Sequence, residues 1–162
     1  MTITIKHLYI APAHNYYGSD EKNTADHEMI ERTSIDLKAN HGIDNDFYID
    51  DKEPDKRDIT LFDWSIFRVV RDEIVKGDLR PSNIQRNVFI EGVDLHTLID
   101  KRFTIGGIEF IGSCEVPSPW MDETCADGTH DALKERAGIR ARIINDGRLD
   151  LGNYELEVLG NA

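Results

Sequence analysis

Residues 102–111, Arg102-Phe103-Thr104-Ile105-Gly106-Gly107-Ile108-Glu109-Phe110-Ile111, decide the fold class of this chain. On each side of the two glycines, apolar and polar residues largely alternate. This period of two places one face of a β-strand in a core and the other face in solvent. Glycine tolerates the backbone angles of a tight turn, so the segment predicts a strand, a turn and a second strand.

The same alternation recurs along most of the chain. It predicts further strands at residues 2–9, 29–37, 84–90, 139–144 and 154–159. Many short strands predict a mainly β fold, either a barrel or a sandwich. Only a few helices are expected. The clearest follows Asp63 as N-cap, ends at Gly77 and has one apolar face, formed by Trp64, Phe67, Val70 and Ile74. A shorter helix is predicted from Thr129 to Arg136, with Thr129 as a possible cap.

Length and composition predict one globular domain that spans residues 1–162. A chain of 162 residues with 40% hydrophobic content can bury a sizeable core. No segment approaches the roughly 20 apolar residues of a membrane span, and the first residues alternate like a strand instead of forming a signal peptide. We therefore expect a cytoplasmic protein without membrane contact, in which Cys114 and Cys125 are free thiols.

The charge distribution is uneven. The net charge of −12 disfavours nucleic acid as a partner, because phosphate backbones are bound by many uncompensated basic residues. Residues 133–148 nevertheless carry five basic side chains against two acidic ones. Strand alternation places Arg140 and Arg142 on the same face. Two interpretations stay open: these arginines form a local site for a small anionic ligand, or they only solvate the outer face of a strand.

Residues 113–122, Ser113-Cys114-Glu115-Val116-Pro117-Ser118-Pro119-Trp120-Met121-Asp122, are the candidate ligand loop. They combine soft and hard ligand atoms with two prolines and a large aromatic side chain. The common alternatives are absent from the sequence, which has no P-loop, no dinucleotide glycine motif and no Gly-x-Ser-x-Gly elbow. The six histidines form no His-x-x-x-His pair, so a structural zinc site has little support.

Several blocks in the same order resemble the small bacterial MOSC proteins, named for the C-terminal domain of molybdenum cofactor sulfurase. The resemblance covers almost the whole chain. It rests on residues 10–18, 42–48, 57–62 and 102–106, on the Arg86-Asn87 to Asp94-Leu95 segment, on Pro117-Ser118-Pro119-Trp120-Met121-Asp122, and on Arg136-Ala137-Gly138-Ile139-Arg140-Ala141-Arg142.

The resemblance implies a closed β-barrel like that of the small domain of pyruvate kinase. It also implies binding of the molybdenum cofactor or of sulfur species, and some family members reduce N-hydroxylated compounds. An electron-donor or sulfur-donor protein would then be a partner. In those reductases a cysteine thiolate binds molybdenum, and Ser118 occupies the matching position here.

Three interpretations follow from Ser118. Ser118 binds the metal as an alkoxide, Cys114 serves as the ligand instead, or the protein has lost the redox chemistry and keeps a binding pocket. Enzymatic activity therefore stays open between a molybdenum-dependent oxidoreductase, a sulfur-transfer protein and a non-catalytic anion-binding module.

The remaining candidate residues have assigned roles and simpler alternatives. Arg57, Arg86, Arg136 and Arg140 could hold a phosphate or sulfur oxyanion through their planar guanidinium groups, with Arg142 beside Arg140. Asp122 either orients an arginine, relays protons or caps a loop. Trp120 lines a pocket or plugs the barrel. His14 donates to an anion or stabilises a turn, and Asn87 binds ligand or stabilises a turn.

Overall fold

The computed structural model describes residues 1–12, 28–50, 58–118 and 120–162. Within these ranges the strands are β1 (Thr2–Ile10), β2 (Ile30–Arg32), β3 (Ser34–Lys38), β4 (Gly42–Ile43), β5 (Ile59–Asp63), β6 (Val88–Glu91), β7 (Lys101–Ile105), β8 (Ile108–Glu115), β9 (Ile139–Ile143), β10 (Gly147–Asp150) and β11 (Gly152–Asn161). The α-helices are α1 (Trp64–Val69), α2 (Met121–Thr124) and α3 (Thr129–Ala132). A π-helical segment, Val70–Val75, continues α1, and two 3-10 turns cover Pro81–Ile84 and Leu95–Leu98.

Seven strands form a closed barrel. Their order is β11-β7-β8-β9-β5-β6-β1, and β1 also pairs with β11. Of the described pairs in the barrel, β5 with β6 is parallel and the others are antiparallel. The prediction of a mainly β protein built on a closed barrel with a few short helices is confirmed.

Two smaller additions flank the barrel. Strand β2 pairs with the far end of β1, where Leu8 lies opposite Arg32 and Ile10 opposite Ile30. Strands β10, β3 and β4 form a separate three-stranded sheet. Within the described ranges, no helix is long and apolar enough to cross a membrane.

The barrel interior is filled by the alternate residues of its strands. In β9, Ile139, Ala141 and Ile143 are buried, while Arg140 and Arg142 are only partly so. The inward residues of β1, β5, β6 and β7 join the same cluster. Alternation therefore assigns the two arginines to the outer surface of the barrel.

A second apolar cluster lies outside the barrel, under α1 and the segment after β8. Phe62 of β5 and Phe89 of β6 point outward, with ring centroids 5.6 Å apart, and Phe67 of α1 packs edge-on against Phe89 at 5.9 Å. Trp120, Met121 and other buried side chains complete the cluster. This cluster explains why the 116–137 segment folds back onto the barrel.

The helix predictions were right in place and partly wrong in detail. Asp63 caps α1 by accepting a hydrogen bond from Ser65 N. The helical segment ends at Lys76, which has a left-handed φ of 54°, and not at Gly77. Thr129 does not cap α3, because Gly128 occupies the N-cap and the Thr129 hydroxyl donates to Ala126 O. Helix α3 ends at Ala132 and does not reach Arg136.

Several strand predictions were also wrong. The predicted strand over residues 29–37 divides at Thr33 into β2 and β3, which belong to different sheets. The predicted strand over residues 84–90 begins only at Val88, because Ile84 ends the 3-10 turn and Gln85 has a left-handed φ of 58°. Strands β4, β5 and β10 were not predicted.

Candidate functional site

The outer surface of β8 and β9 brings together four polar side chains, those of Ser113, Cys114, Arg140 and Arg142. We call this group the β8–β9 face. Arg140 pairs with Cys114 in the antiparallel register, whereas Arg142 pairs with Ile111. Directly opposed residues of such a pair have Cβ atoms about 4.5–5.5 Å apart on the same side of the sheet. A register shift between Gly112 and Cys114 inserts Ser113 beside them.

Three donors of the β8–β9 face are buried without a partner. Within the described part of the chain, Arg140 Nε and Arg142 Nε donate no hydrogen bond, Ser113 Oγ neither donates nor accepts one, and all three atoms are shielded from solvent. A buried polar atom without a partner costs about 1–3 kcal/mol of stability. Guanidinium and hydroxyl donors in this state suit the oxygen atoms of an anion, which would satisfy them.

The two arginines differ in their acidic surroundings. The pKa of the Asp58 carboxyl is raised by burial, while the hydrogen bond from Ile143 N and the charge of Arg142 act in the opposite direction. Arg142 also donates from Nη2 to Asn40 Oδ1 at 3.3 Å. Among the described residues neither arginine has a carboxylate within ion-pair distance, but Arg142 lies near enough to Asp58 for their charges to interact. Arg140 is therefore the less neutralised of the two cations.

Asn87 has a structural position next to this face. Thr60, opposite Arg140 in the β5–β9 register, donates to Asn87 Oδ1 from its backbone N at 3.0 Å and from its hydroxyl at 2.9 Å. Asn87 Nδ2 donates to Tyr9 O at 3.2 Å. The side chain thus ties β1 and β5 to the start of β6, and both of its polar atoms serve the fold.

Arg86 and Trp120 form a buried pair. Arg86 is 3% exposed, its guanidinium carbon lies 5.6 Å from the centroid of the Trp120 ring, and its Nη1 donates to Ile84 O at 3.2 Å. Trp120 belongs to the outer apolar cluster, so it does not plug the barrel interior. Within the described ranges, its buried Nε1 has no hydrogen-bond partner.

Among the described residues, the hydrogen-bond partner of the Ser118 side chain is His130, and not an arginine of the β8–β9 face. Ser118 is 4% exposed, and its hydroxyl lies 3.3 Å from His130 Nδ1. Asp122 Oδ1 accepts a hydrogen bond from His130 N at 2.7 Å, so Asp122 holds the first turn of α3. Capping was one of the alternatives for Asp122. His130 was not predicted, because the loop that brings it to Ser118 leaves no periodic pattern.

The two cysteines have different environments. Cys125 packs against the outer apolar cluster, with its Sγ 4.0 Å from Met121 Sδ, and burial raises the pKa of its thiol. Cys114 is partly exposed on the β8–β9 face. In the β8–β9 register Cys114 lies opposite Arg140.

The remaining predicted site residues do not converge on the β8–β9 face. Arg136 donates to Ala132 O and lines a different cleft, together with Asp63 and His96. His14 and Arg57 lie outside the described residues. In the ranges that the structure describes, no group of three or more His, Cys, Asp or Glu side chains is arranged to hold a metal ion.

Comparison with known proteins identifies the type of barrel. No protein-family model matches the chain. No curated protein matches it either. Among solved structures, the YuaD protein from Bacillus subtilis is similar over 100% of this chain and 98% of its own, with 16% identity and a TM-score of 0.73. YiiM from Escherichia coli is similar over 100% of this chain and 71% of its own, with 13% identity and a TM-score of 0.65.

A second YiiM structure, from Geobacillus stearothermophilus, is similar over 97% of this chain and 75% of its own, with 10% identity and a TM-score of 0.65. These neighbours have MOSC-type folds, and the seven-stranded barrel of this chain is of that type. At such low identity the likeness concerns the fold alone.

Proposed function

We propose that this protein is a binding module for an anionic ligand, which the β8–β9 face holds by its phosphate or by a sulfur oxyanion. The observation that carries the proposal is the set of buried, unpartnered donors at Arg140, Arg142 and Ser113. A fold that keeps such donors dry is destabilised unless a ligand or an ordered solvent molecule supplies acceptors.

The burial of both Nε atoms argues against the alternative in which the arginines only solvate a strand. An arginine that serves solubility extends its guanidinium into water, as Arg148 does on β10, where its side chain is 60% exposed and paired with Asp36 at 2.8 Å. Arg140 and Arg142 are instead held close to the sheet. Their positive charge is local, because the protein as a whole carries a net charge of −12.

Titration of inorganic phosphate and of sulfate into the protein, followed by calorimetry, tests this proposal. Arg140→Ala is expected to weaken binding about tenfold or more, since a charge-assisted hydrogen bond contributes about 1.5–3 kcal/mol. Arg142→Ala should have a smaller effect, because Asp58 already offsets its charge. Binding should also weaken as salt is added.

Arg71→Ala is the matched control for this titration. Arg71 is a partly exposed arginine of the π-helical segment that pairs with Asp72 at 2.7 Å, away from β8 and β9. Its removal is expected to leave the affinity unchanged. Equal losses in Arg140→Ala and Arg71→Ala would show only a general charge effect, and the proposed site would then be wrong.

A second candidate function is supported by the pairing of Cys114 with Arg140. The molybdenum cofactor is an anionic ligand that would supply redox chemistry when bound, with an electron-donor protein as partner. Its fit to the chain is uneven. Ser118 is a poor soft ligand, being a buried hydroxyl that contacts His130. Cys114 would supply the thiol, and Arg140 and Arg142 would hold the phosphate.

Elemental analysis for molybdenum, combined with pterin fluorescence, tests this candidate on protein from a host that makes the cofactor. Cys114→Ala is expected to lose about tenfold or more of the bound metal, because the thiolate is the soft ligand. Ser118→Ala should retain it. Loss in Ser118→Ala alone would identify the serine as the ligand instead. Wild-type protein without either signal would exclude the cofactor and leave the anion-binding proposal standing.

Sulfur transfer is the thiol-based variant of the second candidate, with a sulfur-donor protein as partner. It requires an accessible thiol; Cys114 and Cys125 are both partly exposed, and burial raises the pKa of the Cys125 thiol. The Cys114→Ala protein would therefore accept no persulfide sulfur if this variant is correct.

A further inference from the structure

A second cleft lies at the end of the barrel where β5 runs into α1. It has a volume of about 300 Å³, within the range of small-molecule sites. It is bounded by the start of α1, the turn after β6 and the segment before β9, and its lining residues are Asp63, Ile66, Asp94, Leu95, His96, Glu135, Arg136 and Gly138. None of these residues belongs to the β8–β9 face.

The polar groups of this cleft are mostly acceptors. Asp63 Oδ1 accepts a hydrogen bond from Ser65 N, and Asp94 Oδ1 accepts one from His96 N. These bonds hold both carboxylates in position. In the part of the chain that the structure describes, Oδ2 of each aspartate and the Glu135 carboxylate have no hydrogen-bond partner. The lining thus contains three carboxylates and one arginine. That arginine, Arg136, already donates to Ala132 O at 2.6 Å.

The ring of His96 adds an observation that does not depend on the carboxylates. Its Nε2 is buried and has no hydrogen-bond partner among the described residues. The neighbouring Glu115 Oε1 is 3.9 Å away, beyond hydrogen-bond distance, and lies 3.3 Å from Ala137 N as its acceptor. In a neutral imidazole one nitrogen is an acceptor, so a ligand N–H group could satisfy it.

We infer that this cleft binds a small organic cation, a protonated amine attached to an apolar body. The amine would donate to the free oxygens of Asp63 and Asp94 and to His96 Nε2. Its apolar part would cover Ile66, Leu95 and Gly138. A simple anion does not fit, because the lining offers it one arginine, Arg136, against three carboxylates.

Benzylamine, benzyl alcohol and benzoate are suitable probes, because they share a ring and differ in charge. Each is titrated into isotope-labelled protein while the amide resonances of residues 94–96 and 135–138 are followed by NMR. Benzylamine is expected to shift these resonances and to bind at least about tenfold more tightly than benzyl alcohol, and benzoate is expected to leave them unchanged.

The double variant Asp94→Asn/Glu135→Gln is expected to weaken benzylamine binding about tenfold. Asparagine keeps the oxygen that caps the 3-10 turn, so the variant should remain folded. Glu73→Gln, an exposed change on the π-helical segment, is the control that should bind as the wild type does. Undetectable benzylamine binding, equal binding of benzyl alcohol or benzoate, or wild-type affinity in the double variant would each overturn the inference.

Discussion

Replacing Gly138 with alanine is expected to lower the free energy of unfolding by about 4 kcal/mol, and urea denaturation followed by circular dichroism measures the loss. Gly138 has a φ of +89°, a conformation that side chains disfavour. An added Cβ would lie 2.3 Å from Leu61 O and 3.1 Å from Phe62 Cδ2. Leu61 is a backbone neighbour held in β5 by its pairing with β9, so it cannot yield cheaply.

Gly128→Ala separates the cost of the positive φ from the cost of the steric contact with β5. Gly128 has nearly the same φ, +90°, but an added Cβ there meets no atom within 4 Å. Its substitution is expected to cost about 1–2 kcal/mol, the conformational part alone. If Gly138→Ala were no worse than Gly128→Ala, the segment before β9 would be able to move away from β5, and the close approach would not constrain the fold.

Asn87→Ala should lower the free energy of unfolding by about 3 kcal/mol, as measured by the same denaturation experiment. The change removes the acceptor of Thr60 N and of the Thr60 hydroxyl, and the donor to Tyr9 O. All three are buried, so no water replaces the lost contacts without further rearrangement.

Asn153→Ala provides the surface comparison, because Asn153 is exposed and accepts one hydrogen bond from the Thr4 hydroxyl. Its effect should stay within about 0.5 kcal/mol. Phosphate affinity distinguishes the two roles of Asn87. A folded Asn87→Ala protein with normal stability and weakened phosphate binding would show that Asn87 contacts the ligand and does not mainly tie strands together.

The strands with one buried face could be predicted from sequence, and those in other settings could not. Residues 102–111 and 139–143 alternate because one side faces the barrel interior. Strand β5 is buried on both faces over Ile59-Thr60-Leu61-Phe62, because Phe62 packs under α1, and its sequence therefore shows no alternation. The division of residues 29–37 depends on partners distant in sequence, β1 for β2 and β10 for β3.

Local sequence patterns likewise predicted only part of the candidate site. The shared face of Arg140 and Arg142 was predicted by period two and is confirmed by the burial pattern of β9. The placement of Cys114 opposite Arg140 depends on the register shift in β8, which no local pattern encodes. Arg136 was expected to hold an oxyanion together with Arg140, but it lines the other cleft.

The resemblance to MOSC proteins predicts a cysteine at the position that Ser118 occupies. Ser118 is buried and contacts His130, while the partly exposed Cys114 lies four residues earlier. Whatever chemistry the protein performs, the Cys114 thiol and the unpartnered arginine donors lie on the same two strands. Experiments on Cys114 are therefore more informative than the introduction of a cysteine at position 118.

The closure of the barrel has a consequence for how the protein is made. The ring is completed by antiparallel pairing of Thr2–Ile5 with residues 152–155, and the amino group of Met1 donates to Leu156 O. A ribosome releases β1 long before it releases β11. Strand β1 therefore keeps one edge unpaired and its isoleucines uncovered until β11 has been synthesised. Such an edge can pair with strands of other chains, so the nascent protein is prone to aggregation until β11 covers it.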